Sequence, residues 1–295
     1  MPVIIVHGGA GTIVPELAEA AERGCKEAAR VGWHILQHEG SALNAVEAAV
    51  RTLEDNPAYN AGTGASLTSE GNIELDAGIM EGHTLHVGAV AGVECIKNPI
   101  SLARRVLESP HVLLISKGAQ DFALAQGMQL CSFEDLLTER QYNSWKKARQ
   151  ESAQGMQQQQ PRHGTVGAVA LDISGHLAAA TSTGGMRNKR PGRVGDSPLV
   201  GCGFYADEQA AISCTGDGED FTRLMIARRA AEFVSRGKDA QAAAEAVIKE
   251  LGARTEGTGG LIVVDGRGNV GIAWNSRNMA RAYLCDSMQE PSAGV

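Results

Sequence analysis

The chain has 295 residues, 43% of them hydrophobic, with 36 glycines and few aromatics, a composition that suits one large α/β domain rather than a string of modules. Its net charge of -7 and pI of about 5.7, with no run of Lys or Arg, exclude nucleic acid as a natural partner. No apolar stretch is long enough for a membrane span. The first residues, MPVIIVHGGAGT, lack the basic start and longer apolar run of a secretory signal, so a cytoplasmic location is expected.

Val3 to Val6 is a short apolar run that meets His7-Gly8-Gly9-Ala10-Gly11-Thr12, the pattern of a buried strand entering a Gly-rich turn. This is not a dinucleotide fingerprint, because the spacing is wrong and no strand-helix-strand unit follows. Pro15 opens a helix with Leu17, Ala21, Gly24, Ala28, Val31 and Ile35 at helical spacing, and Gly40 closes it. Ser41 caps a second helix that turns Leu43, Val46, Val50 and Leu53 inward and stops at Asn56-Pro57. Tyr59 to Ser66 is a Gly-rich loop with Asn60 at its entrance, where a turn residue is the ordinary reading. Strands are predicted over 71–82 and 85–93, a helix from Pro99 to Leu107, a strand over 111–115, and a helix capped by Ser116 that runs toward Gln126. His83 and His86 are spaced HxxH, but without carboxylate or Cys company they read as surface residues.

A partly solvated helix is predicted over 133–150. The Gln-rich stretch after it is too poor in apolar residues to build a core, so a flexible linker is expected over about 150–163. The text then changes abruptly to His163-Gly164-Thr165-Val166-Gly167-Ala168-Val169-Ala170-Leu171-Asp172. Residues 165–172 and 176–183 form a predicted hairpin turning at Ile173-Ser174-Gly175, which brings Thr183 back beside Thr165. In the following loop, Arg193 and Asp196 flank Val194 and Gly195. Alone such a pair is a surface ion pair of little worth, yet together the two could hold an α-carboxylate and an α-ammonium. A strand pair over 201–206 and 209–213 leads into Thr215-Gly216-Asp217-Gly218-Glu219 and one amphipathic helix through Phe221, Leu224, Met225 and Phe233. Unpaired N–H groups at its start suit an oxyanion or carboxylate. A helix over 239–251 and strands over 259–265 and 270–274 complete the chain, and the tail beyond Asp286 reads as disordered. The six cysteines, at 25, 95, 131, 202, 214 and 285, have no CxxC spacing and read as buried thiols in a reducing compartment.

The chemistry centres on Thr165. A threonine hydroxyl is a weak acid and nothing adjacent in sequence takes its proton, so the commonplace reading of Gly164-Thr165 is a turn entering a strand. Self-cleavage at that bond would change this. Attack of Thr165 on the Gly164 carbonyl, followed by ester hydrolysis, would leave Thr165 as a chain start whose α-amine, with a pKa of about 8, can serve as base for its own hydroxyl.

HGGAG, YNAGTG, HGTVGAVALD, TSTGG, GRVGDSP and TGDGE, in that order over nearly the whole length, resemble the plant-type L-asparaginases, or isoaspartyl (β-aspartyl) peptidases, of the N-terminal nucleophile (Ntn) hydrolases. The resemblance implies an αββα sandwich made as one precursor and cut into residues 1–164 and 165–295. It also implies assembly as a dimer of such two-chain protomers and hydrolysis of asparagine and β-aspartyl dipeptides. By the same resemblance Thr165 is the nucleophile, Thr183 its hydroxyl partner, and Asn60 a neighbour of the catalytic centre. Arg193 and Asp196 hold the substrate α-groups, Thr215 and Gly216 form the oxyanion site, and Asp217 and Gly218 lie in the substrate loop. No cofactor is implied beyond a structural sodium ion on backbone carbonyls of Leu53, Glu54, Tyr59, Ala61 and Thr63, a donor type that suits a hard cation. Thr63 and Asp217 depart from some relatives, which leaves substrate preference open. A glycosylasparaginase or a non-catalytic asparagine-binding protein is the alternative reading, and an uncut chain of about 31 kDa would favour the latter.

Overall fold

A computed structural model describes residues 1–153 and 164–295. Strand β1 (Val3–Gly11) leads into helices α1 (Pro15–Gln37) and α2 (Ala42–Glu54). Strands β2 (Leu75–Glu81) and β3 (Val87–Val93) follow, then α3 (Pro99–Leu107), β4 (Leu113–Ile115), α4 (Ser116–Ala125), α5 (Phe133–Leu136) and α6 (Glu139–Ala153). Beyond Thr165 come β5 (Val166–Leu171), β6 (Leu177–Thr183), β7 (Phe204–Ala206) and β8 (Ala210–Gly216). Helices α7 (Gly218–Leu224), α8 (Ile226–Ser235) and α9 (Ala240–Arg254) precede β9 (Gly259–Asp265), β10 (Val270–Trp274), β11 (Asn278–Cys285) and β12 (Ser292–Gly294).

The strands form two sheets, one of eight in the order β12-β11-β1-β5-β6-β2-β3-β4 and one of four in the order β10-β9-β8-β7. Their apolar faces dictate the stacking. Along β1, successive side chains point to opposite faces, so Ile4 and Val6 join the helices α1 to α3 while Val3 and Ile5 meet the second sheet. An unbroken apolar run is what a strand buried on both faces requires. Phe204 fills the layer between the sheets so tightly that a Cβ on Gly78 would lie 2.1 Å from its ring. The outer face of the small sheet, through Ile212, Leu261 and Val263, packs on α8 and α9. The result is the αββα sandwich expected of the Ntn fold.

Several local expectations are corrected. The chain beyond Asp286 is not wholly irregular, since β12 pairs with β11, a strand the sequence reading omitted although its residues alternate in burial. The single helix after Glu219 is two, broken at Met225, whose backbone is left-handed at φ 51°. Tertiary bonds explain the break: the N–H groups of Ala227 and Arg228 donate to Cys202 and Gly201 carbonyls, so α8 starts on a new axis. Residue 116 opens α4 without capping it, and Ile115 stands at the N-cap. The helix over 133–150 is α5 and α6, where Leu137 takes an extended conformation. The expected linker begins inside α6, which runs to Ala153, and the rest of it, with His163, lies outside the described residues.

Ser41 accepts a hydrogen bond from Asn44 N at the start of α2, as its N-cap role requires. His83 is exposed and stacks on His176 with ring centroids 4.4 Å apart. Among the described residues no cluster of His, Cys, Asp and Glu could hold a metal, and no helix is long and apolar enough to cross a membrane. All six cysteines are free thiols, three of them (25, 202 and 214) buried and the others partly exposed.

Candidate active site

Thr165 stands at the entry of β5, a strand held between β1 and β6 in the middle of the large sheet. Val166 pairs with Ser182, so the next position across the ladder sets Thr183 opposite Thr165. The Thr165 side chain is nearly buried, and its Oγ1 lies 3.0 Å from Ser197 Oγ. Among the described residues, Thr183 makes no side-chain bond of this kind. Its Oγ1 instead accepts from Gly185 N at 3.0 Å, which leaves the hydroxyl proton free to donate.

The Gly-rich turn expected from His7 to Thr12 is instead the end of β1, which stays paired with β11 to Gly11 across a register shift between His7 and Ala10, and Gly164 is seated on it. A Cβ at Gly164 would lie 2.5 Å from both Gly9 Cα and Thr215 Oγ1, and one at Gly9, where φ is 107°, would lie 2.7 Å from Gly164 Cα. Only glycine allows two backbones this close. Beneath them, His7 pairs in register with Gly167 and lies 2.8 Å from Ser213 Oγ. Burial pushes the His7 imidazole down to about 3, so it is neutral and too weak a base to deprotonate a hydroxyl.

Thr165 and Thr183 share a cavity of about 660 Å³ with Gly164, Arg193, Asp196 and residues 216–218. That volume falls within the range of small-molecule sites. The Arg193 guanidinium is bound through Nε and Nη2 to both carboxylate oxygens of Glu219, at 3.0 and 2.7 Å, and this pairing holds Glu219 below its ordinary range. Asp196 is almost fully buried, with Oδ2 lacking any hydrogen-bond partner among the described residues. Burial pushes its carboxyl up to about 7 in spite of the opposing pull of Arg193. An unpartnered carboxylate aimed at a cavity gains by meeting a cation there. Gly218 closes the loop over this pair, since a Cβ on it would lie 2.9 Å from Arg193 Nη2 and 3.0 Å from Asp196 Oδ1. Gly195 lines the cavity as well, whereas Val194 is 39% exposed and does not.

Three other candidates sit behind or beside the cavity wall. Thr215 is fully buried, and its Oγ1 accepts from Ala10 N at 3.1 Å, which ties the Gly-rich end of β1 to β8. Asp217 lines the cavity but turns Oδ2 to Thr258, accepting from its N at 2.7 Å. Asn60 donates to Gly185 O at 2.6 Å, accepts from Ser66 N at 2.7 Å, and bonds Gly184 N through its own carbonyl. Its geometry is that of a brace for the turn after Thr183 rather than of a group facing a substrate.

The carbonyls assigned to a sodium ion fit one unevenly. Those of Ala61 and Thr63 accept no hydrogen bond among the described residues, whereas Glu54 O takes Thr63 N and Leu53 O takes Asn56 N. Tyr59 O already receives the Arg140 guanidinium at 3.3 Å, beside Pro57 O at 2.7 Å, so an added cation there would face a like charge. The Glu54 carboxyl, raised by burial to about 8, supplies no compensating charge at neutral pH.

Ser197 is the site residue that sequence reading missed. It reaches Thr165 from a loop 32 residues away, fixed by Thr181 Oγ1 donating to its carbonyl at 2.6 Å, and no periodicity records such a contact.

A family described as asparaginase matches residues 1–291. The chain is 47% identical to the plant-type L-asparaginase of Pyrococcus horikoshii over the full length of both, and 46% identical to that of Thermococcus kodakarensis, again over both chains entire. It is 45% identical to the isoaspartyl peptidase/L-asparaginase of Homo sapiens, over 97% of this chain and 94% of the relative.

Proposed function

Because the chain belongs to the asparaginase family, we propose that it cuts itself before Thr165 and then hydrolyses L-asparagine and N-terminal β-aspartyl dipeptides. Its family makes it an amidohydrolase. The observation that carries the rest is the pairing of a nearly buried Thr165 hydroxyl, hydrogen-bonded to Ser197, with the absence among the described residues of a competent side-chain base beside it.

In processing, Thr165 Oγ1 adds to the Gly164 carbonyl carbon, the C–N bond breaks, and the hydroxyl proton ends on the Thr165 nitrogen. Water then hydrolyses the ester and leaves a Gly164 carboxylate. In turnover the freed amine takes the hydroxyl proton, Oγ1 attacks the side-chain amide or isopeptide carbon, and ammonia or an amino acid leaves with a proton returned by that amine. Water releases aspartate from the acyl-enzyme. Arg193 and Asp196 bind the substrate α-carboxylate and α-ammonium, so Glu219 gives up its hold on Arg193 when substrate enters. Donors at Thr215 and Gly216 stabilise the oxyanion, a role worth about 3 kcal/mol per donor in other hydrolases. Thr183 donates to Oγ1, and Asn60 keeps the Thr183 turn in position. No step needs a cofactor. A sodium ion on the loop from Leu53 to Thr63 would only order that loop. Assembly as a dimer of two-chain protomers belongs to the same reading, as does a cytoplasmic location, which six free thiols favour.

Mature protein is expected to run as fragments of about 17 and about 14 kDa, divided from 30.9 kDa in proportion to length, with the smaller one beginning Thr-Val-Gly-Ala. Active material without that second start would refute the scheme. Removing the Ser197 hydroxyl in Ser197→Ala is expected to slow both fragment formation and kcat about tenfold, the value of one lost hydrogen bond, with KM nearly constant. A time course of the two bands beside steady-state kinetics checks this, and Ser197→Thr, which restores the hydroxyl, should recover part of both rates.

A further inference from the structure

Resting on the β-aspartyl reading of this site, we propose that Arg277 anchors a leaving-group subsite that binds the free α-carboxylate of the second residue of a β-aspartyl dipeptide. Arg277 lines the same cavity as Thr165, is exposed, and makes no hydrogen bond or ion pair with any described residue. Of the cavity's carboxylates, Glu219 holds Arg193, Asp217 accepts from Thr258, and Asp196 is assigned to the substrate ammonium, so none is paired with Arg277. Among the described residues, Arg277 is therefore a lining cation without a carboxylate partner.

The backbone that carries it is fixed on both sides. Asn275 donates its N–H to Gly259 O at 2.9 Å and accepts from Gly259 N at 2.8 Å through Oδ1. Ser276 Oγ donates to Asn278 O at 2.9 Å, and Asn278 Oδ1 accepts from Ile13 N at 3.3 Å. The anchored main chain leaves only the Arg277 side chain to be ordered when a carboxylate binds.

Its position selects the leaving group rather than the aspartyl half. Asn278 pairs with Gly11 on β1, and Ala10, Gly11 and Thr12 line the cavity where the Gly-rich end of β1 touches Gly164. Arg277 thus flanks the side of Thr165 from which Gly164 withdraws after cleavage, while the aspartyl α-groups are held by Arg193 and Asp196. A dipeptide presents a carboxylate there. Asparagine, whose leaving group is ammonia, presents nothing, and a longer peptide presents a neutral amide.

The test compares kcat/KM of mature enzyme for β-aspartyl-alanine with that for its C-terminal amide, in the wild type, Arg277→Ala and Arg277→Lys, with asparagine as a reference substrate. The wild type should favour the free acid about tenfold, the size of one charge-assisted contact, with the preference shrinking as salt screens it. In Arg277→Ala the ratio should fall to near one, and Lys should restore part of it. A wild type indifferent to amidation, or an Ala variant that keeps the preference, overturns the proposal. Failure to turn over asparagine, dipeptide and amide alike would instead overturn the Thr165 reading beneath it, and the subsite with it.

Discussion

Replacing Thr165 by alanine is expected to leave one uncut species of 30.9 kDa and to lower asparagine and β-aspartyl turnover on the order of 10⁴-fold or more, as loss of a nucleophile does in other hydrolases. Both effects have one cause. Gly164 meets Gly9 at a distance that admits no side chain on either, and the His7 imidazole beneath them is held neutral by burial. Without the hydroxyl nothing attacks Gly164, and without the cut no α-amine exists to act as base. Thr165→Ser keeps an oxygen at the same place and should retain slow processing. Gel analysis and ammonia release read the two outcomes separately, and comparable ammonia release by the alanine variant would rule out Thr165 as nucleophile.

Asp196→Asn is expected to reduce kcat/KM for asparagine about hundredfold, mostly through KM, because the substrate ammonium loses the buried carboxylate assigned to it. The pH profile gives a sharper reading. Asp196 is raised to about 7 by burial, so in free enzyme it is ionised above that pH and neutral below it. The Thr165 amine, ordinarily near pH 8, must be unprotonated to act, so it too loses function as pH falls. Below about pH 7 the wild-type log kcat/KM should therefore drop with a slope approaching two, and the Asn variant with a slope of one. Stability moves in the opposite sense. The folded state keeps Asp196 protonated where the unfolded chain has already ionised it, so stability is full below about pH 4 and is lost as pH rises toward about 7. Denaturant midpoints of wild type minus variant should trace that decline, and a flat difference would mean that Asp196 titrates normally.

The individual strands and helices were legible because their signals are local, whereas their αββα layering was implied only by the family resemblance. The unbroken apolar run of β1, Pro15 and Ser41 at helix starts, and the Ile173-Ser174-Gly175 turn each act within a few residues. The hairpin turn also fixes the register that sets Thr183 opposite Thr165, so that juxtaposition too can be reached from sequence. Ser197 and Arg277 could not be found this way, because they enter the cavity from distant segments, one braced by Thr181 and the other by Gly259 and Ile13. Met225 carries no Gly or Pro to announce the break, which arises from carbonyls of residues 201 and 202 competing for the N–H groups of α8. Strand β11 did carry alternation, but Asn278 at its start and Arg281 in its middle diluted the apolar pattern.

Strand β1 belongs to the segment before the proposed cut, yet both of its neighbours, β11 and β5, belong to the segment after it. A nick at Gly164-Thr165 would therefore yield two polypeptides woven through one sheet, with backbone ladders crossing from one to the other at β11-β1, β1-β5 and β6-β2. Such a pair does not obey mass action as ordinary subunits do, because parting it means tearing open the central sheet and baring unpaired edges. Dilution leaves it intact, and neither fragment made alone inherits a finished fold, since the first would strand β1 with no partner on either side.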